Sequence, residues 1–128
     1  MPETKKAQRI LVIDDDHVVT RLLESRLKEK GYDVKTICEA ADGLQLALND
    51  DPDLVILDVM MPIINGYNFC RLLKNETKHK HLPVILLTSR TEQKDIDIGK
   101  EVGADAYLTK PVNIDGLLNT IHQLLPNA

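Results

Sequence analysis

Cysteine is scarce in this chain: Cys38 and Cys70 are the only two in 128 residues, and they form no close pair. The opening stretch from Met1 to Arg9 is polar and lacks the apolar core of a secretory signal. Together these absences predict a cytoplasmic protein in a reducing compartment, with both thiols acting as small buried hydrophobes. Long apolar runs are missing too. Ile10 to Ile13, Leu54 to Leu57 and Val84 to Leu87 fall far short of the roughly 20 residues that cross a bilayer, so no membrane span is expected. There is no excess of positive charge, since 16 Lys and Arg face 20 Asp and Glu for a net charge of -4. A protein that binds nucleic acid by neutralising phosphates along a basic face is therefore not expected. Internal repeats, low-complexity tracts and linkers rich in Gly, Ser or Pro are absent as well, which predicts a single domain over 1–128 with its core between residues 8 and 125.

What is present suits a packed core, with 43% hydrophobic and 28% charged residues. Five short apolar or β-branched runs read as strands: Arg9 to Ile13, Asp33 to Cys38, Leu54 to Leu57, Pro83 to Leu87 and Ala106 to Leu108. Helical patterns separate them. The first, His17 to Lys30, puts Val19, Leu22, Leu23 and Leu27 on one face, with Asp16 as its cap and Gly31 just past its end. The second, Ala40 to Asn49, stacks Ala40, Leu44, Ala47 and Leu48. The third, after Asn65-Gly66, stacks Phe69, Leu72 and Leu73. The last, Asn113 to Leu125, repeats Leu117, Leu118, Ile121, Leu124 and Leu125 behind Pro111. The fourth, about Glu92 to Val102, has an incomplete apolar stripe and carries Gly99 inside it, at a cost of about 1 kcal/mol against Ala, and is expected to be the part that moves. Strict alternation of strand and helix, with strands apolar at every position, predicts an α/β fold. Its single doubly wound parallel sheet of five strands would be covered by helices on both faces.

In such a sheet the ligand crevice lies beyond the carboxyl ends of the strands. Those ends are not random here. Asp14, Asp15 and Asp16 follow the first strand, Asp58 ends the third, Thr88 and Ser89 end the fourth, and Thr109, Lys110 and Pro111 follow the fifth. If the first and third strands are neighbours, Asp14, Asp15 and Asp58 converge and repel one another unless a cation is bound. Three carboxylates against the ammonium of Lys110 leave two negative charges, which a divalent ion cancels. Magnesium is expected, because it takes oxygen ligands and needs few from the protein; calcium wants more oxygens, and zinc wants the His or Cys that the strand ends lack. A metal, a lysine and a hydroxyl around one carboxylate suit phosphoryl transfer, with Asp58 as nucleophile and Lys110 and Thr88 contacting phosphoryl oxygens.

These residues carry a resemblance that runs from about Gln8 to Leu125. The pieces are Ile10-Leu11-Val12-Ile13-Asp14-Asp15-Asp16, Leu57-Asp58 followed by Met61-Pro62 and Asn65-Gly66, the Thr88-Ser89 strand end, and Tyr107-Leu108-Thr109-Lys110-Pro111. With these the chain resembles the receiver domain of two-component response regulators, and is similar to the stand-alone, chemotaxis-type members. The resemblance implies a flavodoxin-like sheet of strand order 2-1-3-4-5. It implies a signalling switch, not an enzyme acting on outside substrates, in which Asp58 accepts a phosphoryl group from a sensor histidine kinase or a histidine phosphotransfer protein. It also implies Mg2+ held by Asp14, Asp15, Asp58 and the backbone carbonyl of Met60, with Thr88 contacting the phosphoryl group and Lys110 forming its ion pair. A cis bond before Pro111 is implied, and Tyr107 becomes a switch aromatic that turns inward as Thr88 moves. The output would pass through the fourth and fifth helices with the fifth strand, to a target protein or to an output domain absent from this chain. Two positions depart from the family's habit: Val112 stands where Phe is frequent and Asn65 where Asp is frequent, and neither touches the reaction.

Blander roles compete at some positions. Asp16 reads as a helix cap, and the basic stretch Lys74, Lys78, His79, Lys80 and His81 reads as a solvated loop opposite the acidic rim. His17 and His122 are given no chemistry. An alternative function, a small magnesium-dependent phosphatase of the haloacid-dehalogenase type, is suggested by Asp14-x-Asp16. It lacks the Gly-Thr or Gly-Val turn of that family, its cap domain and its larger sheet. A dinucleotide-binding half is excluded because an acidic turn replaces the glycines that admit a pyrophosphate.

Overall fold

All five apolar runs are strands, and all pair in parallel. In the computed structural model, which describes residues 7–60, 66–75, 81–89 and 93–125, β1 (Arg9–Ile13) lies between β2 (Asp33–Ile37) and β3 (Leu54–Asp58). Beyond β3 come β4 (Val84–Thr88) and β5 (Ala106–Thr109), giving the expected order β2-β1-β3-β4-β5. Register sets Ile13 beside both Ile37 and Leu57, Asp58 beside Leu87, and Thr88 beside Thr109, so the strands finish at one common rim.

Five helices connect the strands: α1 (His17–Glu29), α2 (Ala40–Asn49), α3 (Gly66–Asn75), α4 (Gln93–Glu101) and α5 (Ile114–Leu124). Alternation along the strands divides the core into two layers. Leu11, Ile13, Val55, Leu57 and Leu86 meet Ala47, Phe69 and Leu73 on one face, while Ile10, Val12, Leu54, Ile56, Ile85 and Leu87 meet Leu23, Leu27, Leu117 and Ile121 on the other. β3 and β4 are buried at every position. Each Leu or Ile so enclosed contributes about 1.5–3 kcal/mol, which is why these strands are apolar until Asp58 and Thr88.

The helix ends follow the expected chemistry. Asp16 Oδ1 accepts from the Val18 amide at 2.9 Å, and Asn113 Oδ1 accepts from the Gly116 amide at 2.9 Å. Gly31 adopts φ +94 just past α1, in the left-handed region where a Cβ is unfavourable.

Four expectations need correction. Leu72 is 51% exposed rather than stacked with Phe69 and Leu73. At about 100° per residue, Gly66, Tyr67, Phe69, Cys70 and Leu73 share one buried arc, and Leu72 falls outside it. The same geometry leaves Leu22 39% exposed while Thr20, Leu23 and Leu27 are buried. Cys38 is only half-buried, because β2 ends at Ile37 and the thiol stands at the sheet's open end, with Sγ 3.5 Å from His17 Nδ1. Lys74 belongs to α3 and is held: its ammonium donates to the Leu82 carbonyl at 2.6 Å and to Asp105 Oδ2 at 2.9 Å, and that carboxylate also accepts from the Val84 amide at 2.8 Å. This clamp ties the start of β4 to the turn before β5. His81 is exposed; Lys78, His79 and Lys80 lie outside the described residues.

Burial pushes the Cys70 thiol up to about 11, from an ordinary 9.0. At pH 8, iodoacetamide is therefore expected to alkylate Cys38 well before Cys70 in the folded protein; peptide mapping over time checks the order. A raised thiol value also means that stability falls as pH rises from 9 toward 11, since only the unfolded chain ionises freely across that window.

Candidate functional site

The rim is assembled by strand ends whose backbones are locked. The Asp14 amide donates to the Ile37 carbonyl at 3.1 Å, the Val59 amide to Leu87 at 2.9 Å, and the Lys110 amide to Thr88 at 2.7 Å. The Lys110-Pro111 bond is cis, as the resemblance implied. Asp14, Asp58 and Thr88 are buried, and Asp15 is exposed beside them.

At the centre, Lys110 Nζ lies 2.8 Å from Asp14 Oδ2 and 3.4 Å from Asp58 Oδ1. Asp58 Oδ1 also accepts from the Met60 amide at 3.3 Å, and Asp14 Oδ1 from the Asp16 amide at 2.9 Å. One carboxylate oxygen from each of Asp14, Asp15 and Asp58 falls within 4.8 Å of the other two. Desolvation by burial raises the Asp58 value above its ordinary 3.8, and the Asp14 charge adds to the rise; Lys110 and the Met60 amide only partly oppose it. Burial also works against the charged form of Lys110, but its contacts with Asp14 and Asp58 outweigh that and hold its value above 10.5. The lysine therefore stays cationic at neutral pH.

These donors fit a magnesium ion. They are hard oxygens of excess negative charge, three carboxylates against the one ammonium of Lys110, which reaches Asp14 Oδ2 at 2.8 Å, and Asp14 and Asp58 are buried where water compensates little. The structure brings together Asp14, Asp15, Asp58 and Lys110, and puts Thr88 at the end of the neighbouring strand. Met60 flanks the site with its side chain 49% exposed. Met61, Pro62, Asn65 and Arg90 lie outside the described residues.

Sequence reasoning missed Tyr67. Tyr107 packs on the first core layer, and its hydroxyl lies 3.1 Å from that of Tyr67, which in turn lies 3.1 Å from the Asp95 carbonyl. The available signal was the spacing of Tyr67 ahead of Cys70 and Lys74, which continues the buried arc of α3 one turn back to its start.

Residues 10–122 match the family described as response regulator receiver domain. Protein PilG of Pseudomonas aeruginosa is 36% identical over 127 residues, covering 99% of this chain and 94% of that protein. Response regulator PleD of Caulobacter vibrioides is 42% identical over 105 residues, which are 82% of this chain but only 23% of PleD. Among solved structures, a response regulator from Chloroflexus aurantiacus superposes with a TM-score of 0.90 at 32% identity, covering 95% of this chain and all of that one. The phosphatase alternative finds no support in these likenesses. Among the described residues no helix is long and apolar enough to cross a membrane. The chain belongs to the receiver domains of two-component response regulators.

Proposed function

We propose that Asp58 is the phosphoacceptor of this receiver and that residues 1–128 work as one domain. The observation that carries the reading is the buried Asp58 carboxylate, 3.4 Å from the Lys110 ammonium and within 4.8 Å of carboxylate oxygens from Asp14 and Asp15. Asp14, Asp15, Asp58 and the Met60 backbone carbonyl would hold Mg2+, which when bound neutralises charge on the transferring group.

The chain's own residues supply the rest. A carboxylate oxygen of Asp58 attacks phosphorus as the bond to the donor histidine nitrogen breaks, so the phosphoryl group moves and the imidazole departs with the bonding pair. Burial keeps this carboxylate poorly solvated, which raises the energy of the attacking anion and limits access of competing water. Lys110 stays protonated and pairs with phosphoryl oxygen, while the Thr88 hydroxyl donates to another. The protein thus catalyses only its own phosphorylation and dephosphorylation. Tyr107 with α4 and α5 forms the surface read by a downstream partner or an attached output portion. A sensor histidine kinase or histidine phosphotransfer protein is the donor, in the cytoplasm, where the free thiols of Cys38 and Cys70 agree with a reducing setting.

Incubation with magnesium and acetyl phosphate, followed by peptide mapping, is expected to place one phosphoryl group on Asp58. Labelling confined to any other residue overturns the reading. Met60 and Arg90 each stand two residues beyond a site residue, and Met60 is exposed at the mouth. Substituting either is expected to change the dephosphorylation rate severalfold while magnesium affinity moves much less. Parallel titrations and decay curves check this, and equal effects on both refute it.

A further inference from the structure

We propose that Tyr67 is a positioning residue for Tyr107: its hydroxyl, shared between the Tyr107 hydroxyl and the Asp95 carbonyl, pins the β5 aromatic and ties it to the first turn of α4. A phenol has one proton to give and a carbonyl can only accept. Tyr67 therefore donates to Asp95 and accepts from Tyr107, at 3.1 Å in both cases. Because the proton on Tyr67 is directed to Asp95, the two contacts polarise each other in one direction, from β5 through α3 to α4.

The post that carries this hydroxyl is anchored at its base. Tyr67 is buried and follows Gly66, whose amide donates to the Val59 carbonyl at 2.9 Å. A Cβ on Gly66 would stand 2.6 Å from Val59 Cα and 2.7 Å from the Asp58 carbonyl oxygen, so α3 begins directly against the strand end that bears Asp58. Backbone displacement at Asp58 and Val59 consequently reaches Tyr107 and α4 through Tyr67, beside any path through Thr88. The signalling consequence rests on the reading of Asp58 as phosphoacceptor; the latch itself does not.

The chain has three tyrosines and no tryptophan, so protein labelled with 3-fluorotyrosine gives three fluorine resonances that single Tyr→Phe variants assign. In the resting protein, Tyr67→Phe is expected to shift the Tyr107 resonance and leave that of Tyr32 in place, and Tyr107→Phe is expected to shift Tyr67 reciprocally. Amide exchange in the first turn of α4 should rise about threefold to tenfold in Tyr67→Phe, the effect of one buried hydrogen bond. An unmoved Tyr107 resonance overturns the latch, and so does an equal shift at Tyr32, which would report general loosening. With magnesium and acetyl phosphate, Tyr67→Phe should be labelled at Asp58 within twofold of the parent rate while the labelling-induced shift of Tyr107 shrinks by at least half. An undiminished shift overturns the coupling. If the parent protein is not labelled at all, the phosphoacceptor reading fails, and the resting-state resonances still decide the latch.

Discussion

Asp58→Asn is expected to abolish phosphoryl incorporation from acetyl phosphate, by more than a hundredfold, while raising the melting temperature at neutral pH. The loss is chemical, because an amide oxygen is a far poorer nucleophile and forms no stable acyl phosphate. The gain follows from burial. Desolvation and the neighbouring Asp14 raise the folded-state value of Asp58 above 3.8, so the folded protein holds that proton more tightly than the unfolded chain. Stability then falls as pH rises from 3.8 through the folded value, and it stays reduced above it. Asparagine removes the ionised group, so the advantage of the variant should be present at pH 7 and should shrink as pH approaches 4. Magnesium acts in the opposite sense. At ten times its dissociation constant it should stabilise the parent by about 1.4 kcal/mol through mass action, and the variant by less. Thermal melts at both pH values, with and without magnesium, check each sign; an advantage for asparagine that grows toward pH 4 contradicts the assignment.

Among the described glycines, Gly66→Ala should have the largest structural effect, because its added methyl meets backbone at the shortest distances. The new Cβ would stand 2.6 Å and 2.7 Å from backbone atoms of Val59 and Asp58, and no side-chain rotation relieves a collision with main chain. Either α3 lifts or the end of β3 moves. Overpacking of this kind costs about 3 kcal/mol, outweighing the roughly 1 kcal/mol by which alanine favours a helix. A drop of roughly 10 °C in melting temperature is expected, together with slower labelling of Asp58, since the displaced carbonyl is its own. Gly116→Ala is the matched control. The atoms nearest its Cβ would be those of the Asn113 side chain at 3.6–3.8 Å, an ordinary contact, so a neutral or slightly stabilising result is expected there. Similar melting temperatures for the two variants would refute the steric account.

The sheet and its rim were legible in the sequence because burial leaves little choice. Val84 to Leu87 and Leu54 to Leu57 are apolar at every position, so a polar residue at their ends can only be tolerated where the strand opens to the crevice. Asp14, Asp58 and Thr88 stand at those openings, and their convergence follows once β1 is placed beside β3. Lys110 was legible for the same reason, as the cation that follows the last strand. What was not legible depends on angles around helices and on contacts between distant segments. Leu72 was expected inside because it adjoins Leu73, yet the turn of α3 carries it into solvent. Lys74 was read with a solvated basic run, but Asp105, distant in sequence, captures it. Tyr67 was passed over because its partner hydroxyl is 40 residues away, and its place on the arc of α3 marks burial without naming a partner.

The place of β5 in the sheet has a further consequence. It is an outer strand with β4 as its neighbour, and its residues are only partly enclosed, whereas β3 and β4 are sealed on all sides. A strand held along one margin can slide or tilt at the cost of a single ladder, without unzipping the middle. On the reading of Asp58 as phosphoacceptor, its chemistry would be read out where the architecture yields most cheaply, while the interior keeps its shape.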